Sequence, residues 1–292
     1  MGCSICPRNC GAKREDDIGF CSVKDEFMLA RAAKHEWEEP CISGVNGSGA
    51  VFFSGCSLRC AFCQNYEVSR ASTGAQVSED KLMRIFDSLV EQGVHNINLV
   101  TPTHYTEKLA AVLEKYKSPV PVVWNSSGYE KVESLKMLEG LVDIYLPDIK
   151  FFDAAVSQKY AGASDYFEYA SKAVLEMFRQ VGALETDENG MAKKGVLIRH
   201  LVLPGNVSQS FKILEWISGN LPEDTAISIM SQYVPYAKAK EMSPLDRRLS
   251  SREYSMVKQK VMNLGFENVF FQQKNSASED YIPQFNLEGL DL

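Results

Sequence analysis

Cys56, Cys60 and Cys63 stand in a C-x3-C-x2-C pattern on a loop that follows the apolar run Ala50–Phe53 and the pair Ser54-Gly55. Three thiolates on one tight loop can hold three irons of a cubane iron–sulfur cluster, which normally takes a fourth Cys. No Cys follows Cys63, so one iron would keep an open position for a substrate or cosubstrate. A structural zinc loop is the competing reading, but zinc takes a closed set of four ligands, and this loop offers three. A second group, Cys3, Cys6 and Cys10 with Cys21, supplies four thiolates. That number suits either tetrahedral zinc or a second, closed cluster, and the spacings do not choose between them. Cys41 lies outside both runs and reads as a buried thiol.

The elements that must position these residues can be drawn from apolar periodicity. Strand-like runs occur at Ala50–Phe53, Asn96–Val100, Val120–Trp124, Val142–Leu146, Val196–Leu203, Ala226–Met230 and Asn268–Phe271. Helical patterns alternate with them at Ser78–Gln92, Thr106–Tyr116, Glu130–Leu138, Ser164–Val181, Ser210–Ser218 and Ser250–Leu264. In the first of these, Leu82, Ile85, Phe86 and Leu89 fall on one face, Ser78 suits an N-cap and Gly93 a C-terminal stop. Alternation of this kind implies right-handed crossovers and a parallel sheet. Six or seven units fall short of eight, so the expected fold is α/β, a partial (β/α)6-type TIM barrel. Residues 1–45 are rich in Cys, Gly and charge without a sustained apolar period, and read as a Cys-rich metal-binding module. The barrel would then occupy residues 46–275 and a C-terminal tail 276–292, lying over the domain. Gly182–Gly195 is polar and bounded by Gly, and reads as a surface loop.

Chemistry in parallel barrels sits at the C-terminal ends of the strands. The first strand leads into the cysteine loop. The second ends in Thr101-Pro102-Thr103-His104, the third in Asn125-Ser126-Ser127, and the fourth in Pro147-Asp148-Ile149-Lys150. The fifth carries Arg199 and His200, and the sixth ends in Ser231-Gln232-Tyr233. Polar groups at every strand end suit a zwitterionic nucleoside. His104 and His200 fit either a ligand role or that of a satisfied loop histidine.

Composition narrows the class. Among the 292 residues, 45% are hydrophobic and 24% charged, and the net charge is −7. Such a chain is an ordinary globular one, and its scattered Lys and Arg do not make a nucleic-acid surface. No apolar stretch approaches membrane-spanning length, and the opening Met-Gly-Cys-Ser is not a signal peptide. Eight cysteines in motif spacing without a secretion signal read as metal ligands in a reducing cytoplasm.

Ordered stretches along nearly the whole chain carry a resemblance. They are Cys6-Pro7-Arg8-Asn9-Cys10-Gly11, HEWEEP at 35–40, GSGAVFFSGC at 47–56, CQNYE at 63–67 and HNINLVTPTH at 95–104. Further on come WNSSGYE at 124–130, LVDIYLPDIK at 141–150, RHLVLPG at 199–205 and IMSQYVP at 229–235. With the cysteine loop they make the chain resemble the radical SAM superfamily, and within it the PflX-like group related to pyruvate formate-lyase activating enzyme. The resemblance implies a partial TIM barrel and a 4Fe-4S cluster on Cys56, Cys60 and Cys63 that binds S-adenosylmethionine at its open iron. It further implies reductive cleavage to a 5′-deoxyadenosyl radical, with flavodoxin or ferredoxin as electron donor. The radical would take hydrogen from a glycine of a partner enzyme, as a glycyl-radical activase does, or from a small molecule or peptide. By the same analogy Phe62 packs on the adenine, Asp148 and Lys150 match the Asp-x-Lys pattern that meets the amino and carboxylate groups, and Arg199 and Gln232 reach the ribose or carboxylate. Activases carry Gly-Gly-Glu after the second strand. Thr101-Pro102-Thr103 stands there instead, so the Thr101 and Thr103 hydroxyls with backbone carbonyls would have to serve, and Asn125 at the end of the next strand is a further cofactor-binding candidate. A metal-binding redox or sensor protein without turnover is the reading from a different class.

Overall fold

The structure, a computed structural model, describes residues 2–272 and 283–291. Its frame is one sheet with the strand order β10-β9-β8-β6-β5-β4-β2-β1-β3. The strands are β1 Phe27–His35, β2 Ser48–Phe53, β3 Ala75–Val77, β4 Ile97–Val100, β5 Val122–Ser126, β6 Ile144–Pro147, β7 Glu185–Thr186, β8 Ala192–Leu201, β9 Ala226–Met230 and β10 Val269–Phe271. Neighbours from β2 through β10 run parallel, joined by helix-bearing crossovers, whereas β1 and β3 are antiparallel. Among the described residues the two ends of the path do not pair, so the sheet is an unclosed, partial barrel. Each of the seven strands read from the sequence is present, with bounds displaced by a few residues.

β2, β4, β5 and β6 are buried along their length, as expected of strands covered on both faces. Leu82, Ile85, Phe86 and Leu89 of the helix Glu79–Glu91 pack into the outer core, and Ser78 caps it by accepting from the Lys81 amide. The helix Ser251–Asn263 opens with a reciprocal capping box between Ser250 and Glu253.

Three features depart from the periodicity. β1 lies within residues 1–45 and pairs with β2 from Leu29↔Phe53 to His35↔Ser48. Its sequence, FMLARAAKH, breaks the apolar run with Arg31, Lys34 and His35, although it pairs on both sides, with β2 and with β3. Gly182–Gly195 is not a plain loop: Glu185–Thr186 pairs antiparallel with β8 in a short hairpin. A further helix, Ala154–Ala161, precedes Tyr166–Val181 in the β6–β8 crossover. The tail expected over the domain is described for 283–291, and there it follows β1. Leu287 N–H donates to Ala30 O at 3.2 Å, Ala32 N–H to Glu288 O at 2.9 Å, and Phe285 meets Phe52 edge-on at 5.4 Å. Residues 276–282 lie outside the described residues.

Candidate functional site

The cysteine loop is shaped by what packs against it. Gly55 turns out of β2 at φ +90, and a Cβ there would sit 2.6 Å from Cys21 O; only Gly permits that approach. Cys56 N–H donates to the same carbonyl at 3.2 Å. Arg8, from the N-terminal segment, donates to Ser57 O at 2.7 Å, Leu58 O at 3.3 Å and Ala161 O at 3.0 Å, and also to Gly162 O. Arg59 reaches back to Phe20 O and the Ser22 hydroxyl, and both guanidinium groups flank the Phe20 ring, at 4.3 and 4.4 Å. The N-terminal cysteines therefore belong to a segment that grips the loop.

Cys56, Cys60 and Cys63 all line one cleft of about 730 Å³ at the mouth of the barrel. Leu58 N–H points at Cys56 Sγ at 3.3 Å. An amide directed at sulfur is the kind of contact that stabilises a cluster thiolate. Burial pushes the Cys63 thiol up to about 11, and Cys60 is raised further, with the Lys150 ammonium working against the rise. Thiols so placed become thiolates only opposite positive charge. Among the described residues no group of three or more His, Cys, Asp or Glu is placed to hold a single metal ion. A cubane does not require that, since each thiolate meets a different iron, and three cysteines on one cleft wall with an amide on sulfur fit such a cluster. All eight cysteines are free thiols, and Cys41 is buried.

A half-buried ionic chain occupies the strand ends. Lys150 Nζ contacts Asp148 Oδ2 at 2.5 Å, and Asp148 Oδ1 accepts from Arg199 Nε at 2.8 Å. Arg199 Nη1 donates to Glu38 Oε2 at 2.8 Å and Nη2 to Asn125 Oδ1 at 2.6 Å. Asn125 Nδ2 donates in turn to Glu38 Oε1 at 3.0 Å. Burial alone would raise Asp148, but Arg199 and Lys150 outweigh it and hold the carboxyl below its ordinary value. For Lys150 burial works downward, and Asp148 with Cys60 more than restores the charge.

Of the residues singled out in the sequence, Phe62, Thr101, Asn125, Asp148, Lys150, Arg199 and Gln232 all line this cleft. Phe62 lies edge-on to Phe151 and Tyr233 at 6.0 and 6.1 Å. Thr101 holds φ +60, a conformation costly for a β-branched residue and common at functional sites. Gln232 Oε1 accepts from Gln272 Nε2 at 2.7 Å. Thr103 is the exception. Its hydroxyl donates at 2.9 Å to the buried Glu130, which also accepts from Trp124 Nε1 and Ser126 Oγ, so it braces two strand ends and does not face the cleft. His200 is satisfied through Ile149 O and Ser210 Oγ at 2.7 and 2.8 Å, whereas His104 meets Ser54 O at 2.8 Å through Nε2 and its buried Nδ1 has no partner.

Glu38 and Glu39 were given no role by the sequence. Both line the cleft. They reach it because β1 runs against the parallel strands, so the chain leaving it passes under the barrel and turns upward.

Comparison with known proteins agrees with this geometry. Residues 43–168, which include the cysteine loop, match the family described as a 4Fe-4S single cluster domain. The uncharacterized protein MJ0674 of Methanocaldococcus jannaschii is 30% identical over 260 residues, spanning 86% of this chain and 71% of that protein. Among solved structures, HydG, a maturase of the FeFe hydrogenase, is similar with a TM-score of 0.51 at 12% identity, over 80% of this chain and 53% of that one. SuiB of Streptococcus suis bound to S-adenosylmethionine follows with a TM-score of 0.49 at 14% identity, over 74% and 47%. This chain thus spans about half the length of those two solved chains, and HydG is a likeness of fold. No described helix is long and apolar enough to cross a membrane. The long relative places the chain in the same family as MJ0674, and the stretch around its cysteine loop matches a 4Fe-4S single cluster domain carried on an unclosed, largely parallel barrel.

Proposed function

We propose that this protein is a radical SAM enzyme that abstracts hydrogen from a glycine of a partner chain, in the manner of a glycyl-radical activase. The observation that carries the reading is the convergence of Cys56, Cys60, Cys63, Lys150, Asp148 and Arg199 on one cleft. When bound, the cluster and S-adenosylmethionine supply a 5′-deoxyadenosyl radical after one-electron reduction by flavodoxin or ferredoxin. The chain's own residues bind and orient. Cys56, Cys60 and Cys63 hold three irons. Lys150, a fixed ammonium beside Cys60, meets the cosubstrate carboxylate, while Asp148 keeps Lys150 charged and receives the amino group. Phe62 offers an apolar face to the adenine, and Thr101, Asn125, Arg199 and Gln232 complete the polar wall. The apolar walls exclude water from the reacting carbon.

A partner glycine requires a cleft that a chain segment can enter, and the unclosed side of the barrel suits that. The cleft volume also falls in the range of small-molecule sites, which favours a second reading, a modifier of a small molecule or peptide. Electron paramagnetic resonance separates them. An activase leaves a stable glycyl radical signal on a second protein after turnover, and turnover of a low-mass substrate with no such signal would contradict the first reading.

In this reading Cys3, Cys6, Cys10 and Cys21, which are near enough to act on one another's charge but are not drawn around a single ion in this structure, would close on a second metal, zinc or a cluster, and stiffen the segment bearing Arg8 and Phe20. Anaerobic protein should then carry metal beyond four irons per chain, and a Cys6→Ser variant should lose that excess alone. Four irons and no other metal in the wild type would remove the second site.

A further inference from the structure

Glu39 presents a feature of the cleft that the ionic chain does not explain. It is 8% exposed, lines the cleft, and its Oε2 has no hydrogen-bond partner. The nearest cation, Arg199 Nη1, stands 3.9 Å away, and that nitrogen already donates to Glu38 at 2.8 Å. An unpaired carboxylate oxygen out of water is costly, and buried polar atoms in native proteins nearly always find a partner. A ligand can be that partner.

Charge and position say which kind. The linked groups are three carboxylates, on Asp148, Glu38 and Glu39, and two cations, on Lys150 and Arg199. His35, which also lines the cleft, adds no charge at neutral pH because burial, with Arg31 and Arg199 nearby, lowers it to about 4. With all three carboxyls ionised the set carries one negative charge in excess, and burial, against Arg199 and the Ser228 hydroxyl, raises the Glu39 carboxyl accordingly; a cation beside its unpartnered Oε2 would reverse that rise. The chain Lys150–Asp148–Arg199–Glu38 begins beside Cys60 and runs away from the cluster loop, so Glu39 lies at the far end of the same cleft. Phe52, Val100, Leu201, Met230 and Phe270 furnish apolar wall between.

We infer that Glu39 is the specificity-determining residue of a substrate subsite at the deep end of the cleft, and that the group it receives is an aliphatic ammonium. The carboxylate takes N–H donors and one positive charge, and the apolar wall takes the carbon chain, which then extends towards the cosubstrate. The inference rests on the radical SAM reading for what happens next, but not for the binding itself.

The test uses reconstituted protein with S-adenosylmethionine bound and no reductant, so that nothing turns over. Titration calorimetry with n-butylammonium and with the neutral 1-butanol is run on the wild type and on Glu39→Gln. The expected result is binding of the ammonium at least about tenfold tighter than the alcohol, and at least about tenfold weaker in Glu39→Gln, with iron content and S-adenosylmethionine affinity unchanged. Equal affinity for ammonium and alcohol in the wild type, or no binding of either, overturns the inference without reference to any variant. A loss of S-adenosylmethionine affinity in Glu39→Gln overturns it too, by assigning the carboxylate to the cosubstrate. Failure of the wild type to bind S-adenosylmethionine while it still binds the ammonium would instead strike the radical SAM reading.

Discussion

His104 and His200 are enclosed next to the cleft, each directing a ring N–H at a backbone carbonyl, Ser54 O and Ile149 O. Both are neutral, because burial lowers them from 6.5 to about 3 and about 4. With folded values below the unfolded one, unfolding takes up protons as pH falls from about 6.5 towards 4. Their contribution is complete above that window and lost on descending through it. In urea unfolding of the metal-free protein these two histidines should therefore lower stability by about 4 kcal/mol at pH 5 relative to pH 7, and equal stability at the two values would contradict neutral burial. At this scale the strand-end residues were legible, since Asn125, Asp148, Lys150 and Arg199 each follow or end an apolar run. Glu38 and Glu39 were not. Two acids before a Pro look like solvated surface, and only the antiparallel course of β1 brings them inside. Thr103 sits two residues from Thr101, yet the short 3-10 helix Thr103–Tyr105 turns it onto Glu130.

The N-terminal segment acts as an element through Arg8, whose guanidinium gathers carbonyls from both the cysteine loop and the end of the helix Ala154–Ala161. Hydrogen bonds from a charged donor contribute roughly 1.5–3 kcal/mol each, so Arg8→Ala should loosen the loop more than it unfolds the protein. Iron release from the loaded variant to a chelator is expected to be about tenfold faster or more, while the thermal midpoint shifts by a few degrees; an unchanged release rate would show that the clamp does not support the cluster. The central strands could be read because burial on both faces makes them continuous apolar runs. β1 and the hairpin of Glu185–Thr186 could not, because β1 interrupts its apolar residues with Arg31, Lys34 and His35, and the two-residue strand Glu185–Thr186 is exposed and polar. Helix ends with strong caps, at Ser78 and Ser250, fell where the capping chemistry puts them.

For the whole molecule, the seven-stranded parallel sheet of the described residues stops short of closure, and the cleft at its strand ends is lined from β2 through β10. The β/α alternation was enough to anticipate this architecture. It was not enough to anticipate how the termini use it: the N-terminal segment locks the cysteine loop, and residues 283–291 follow β1. The account as a whole turns on whether the cleft cleaves S-adenosylmethionine. The direct measurement is anaerobic reconstitution with iron and sulfide, reduction with dithionite, and chromatographic assay for 5′-deoxyadenosine, on the wild type beside Cys60→Ala. Release of 5′-deoxyadenosine by the wild type and none by a folded Cys60→Ala is the predicted result. No release from a wild type shown to carry its cluster, or equal release by the variant, would contradict it.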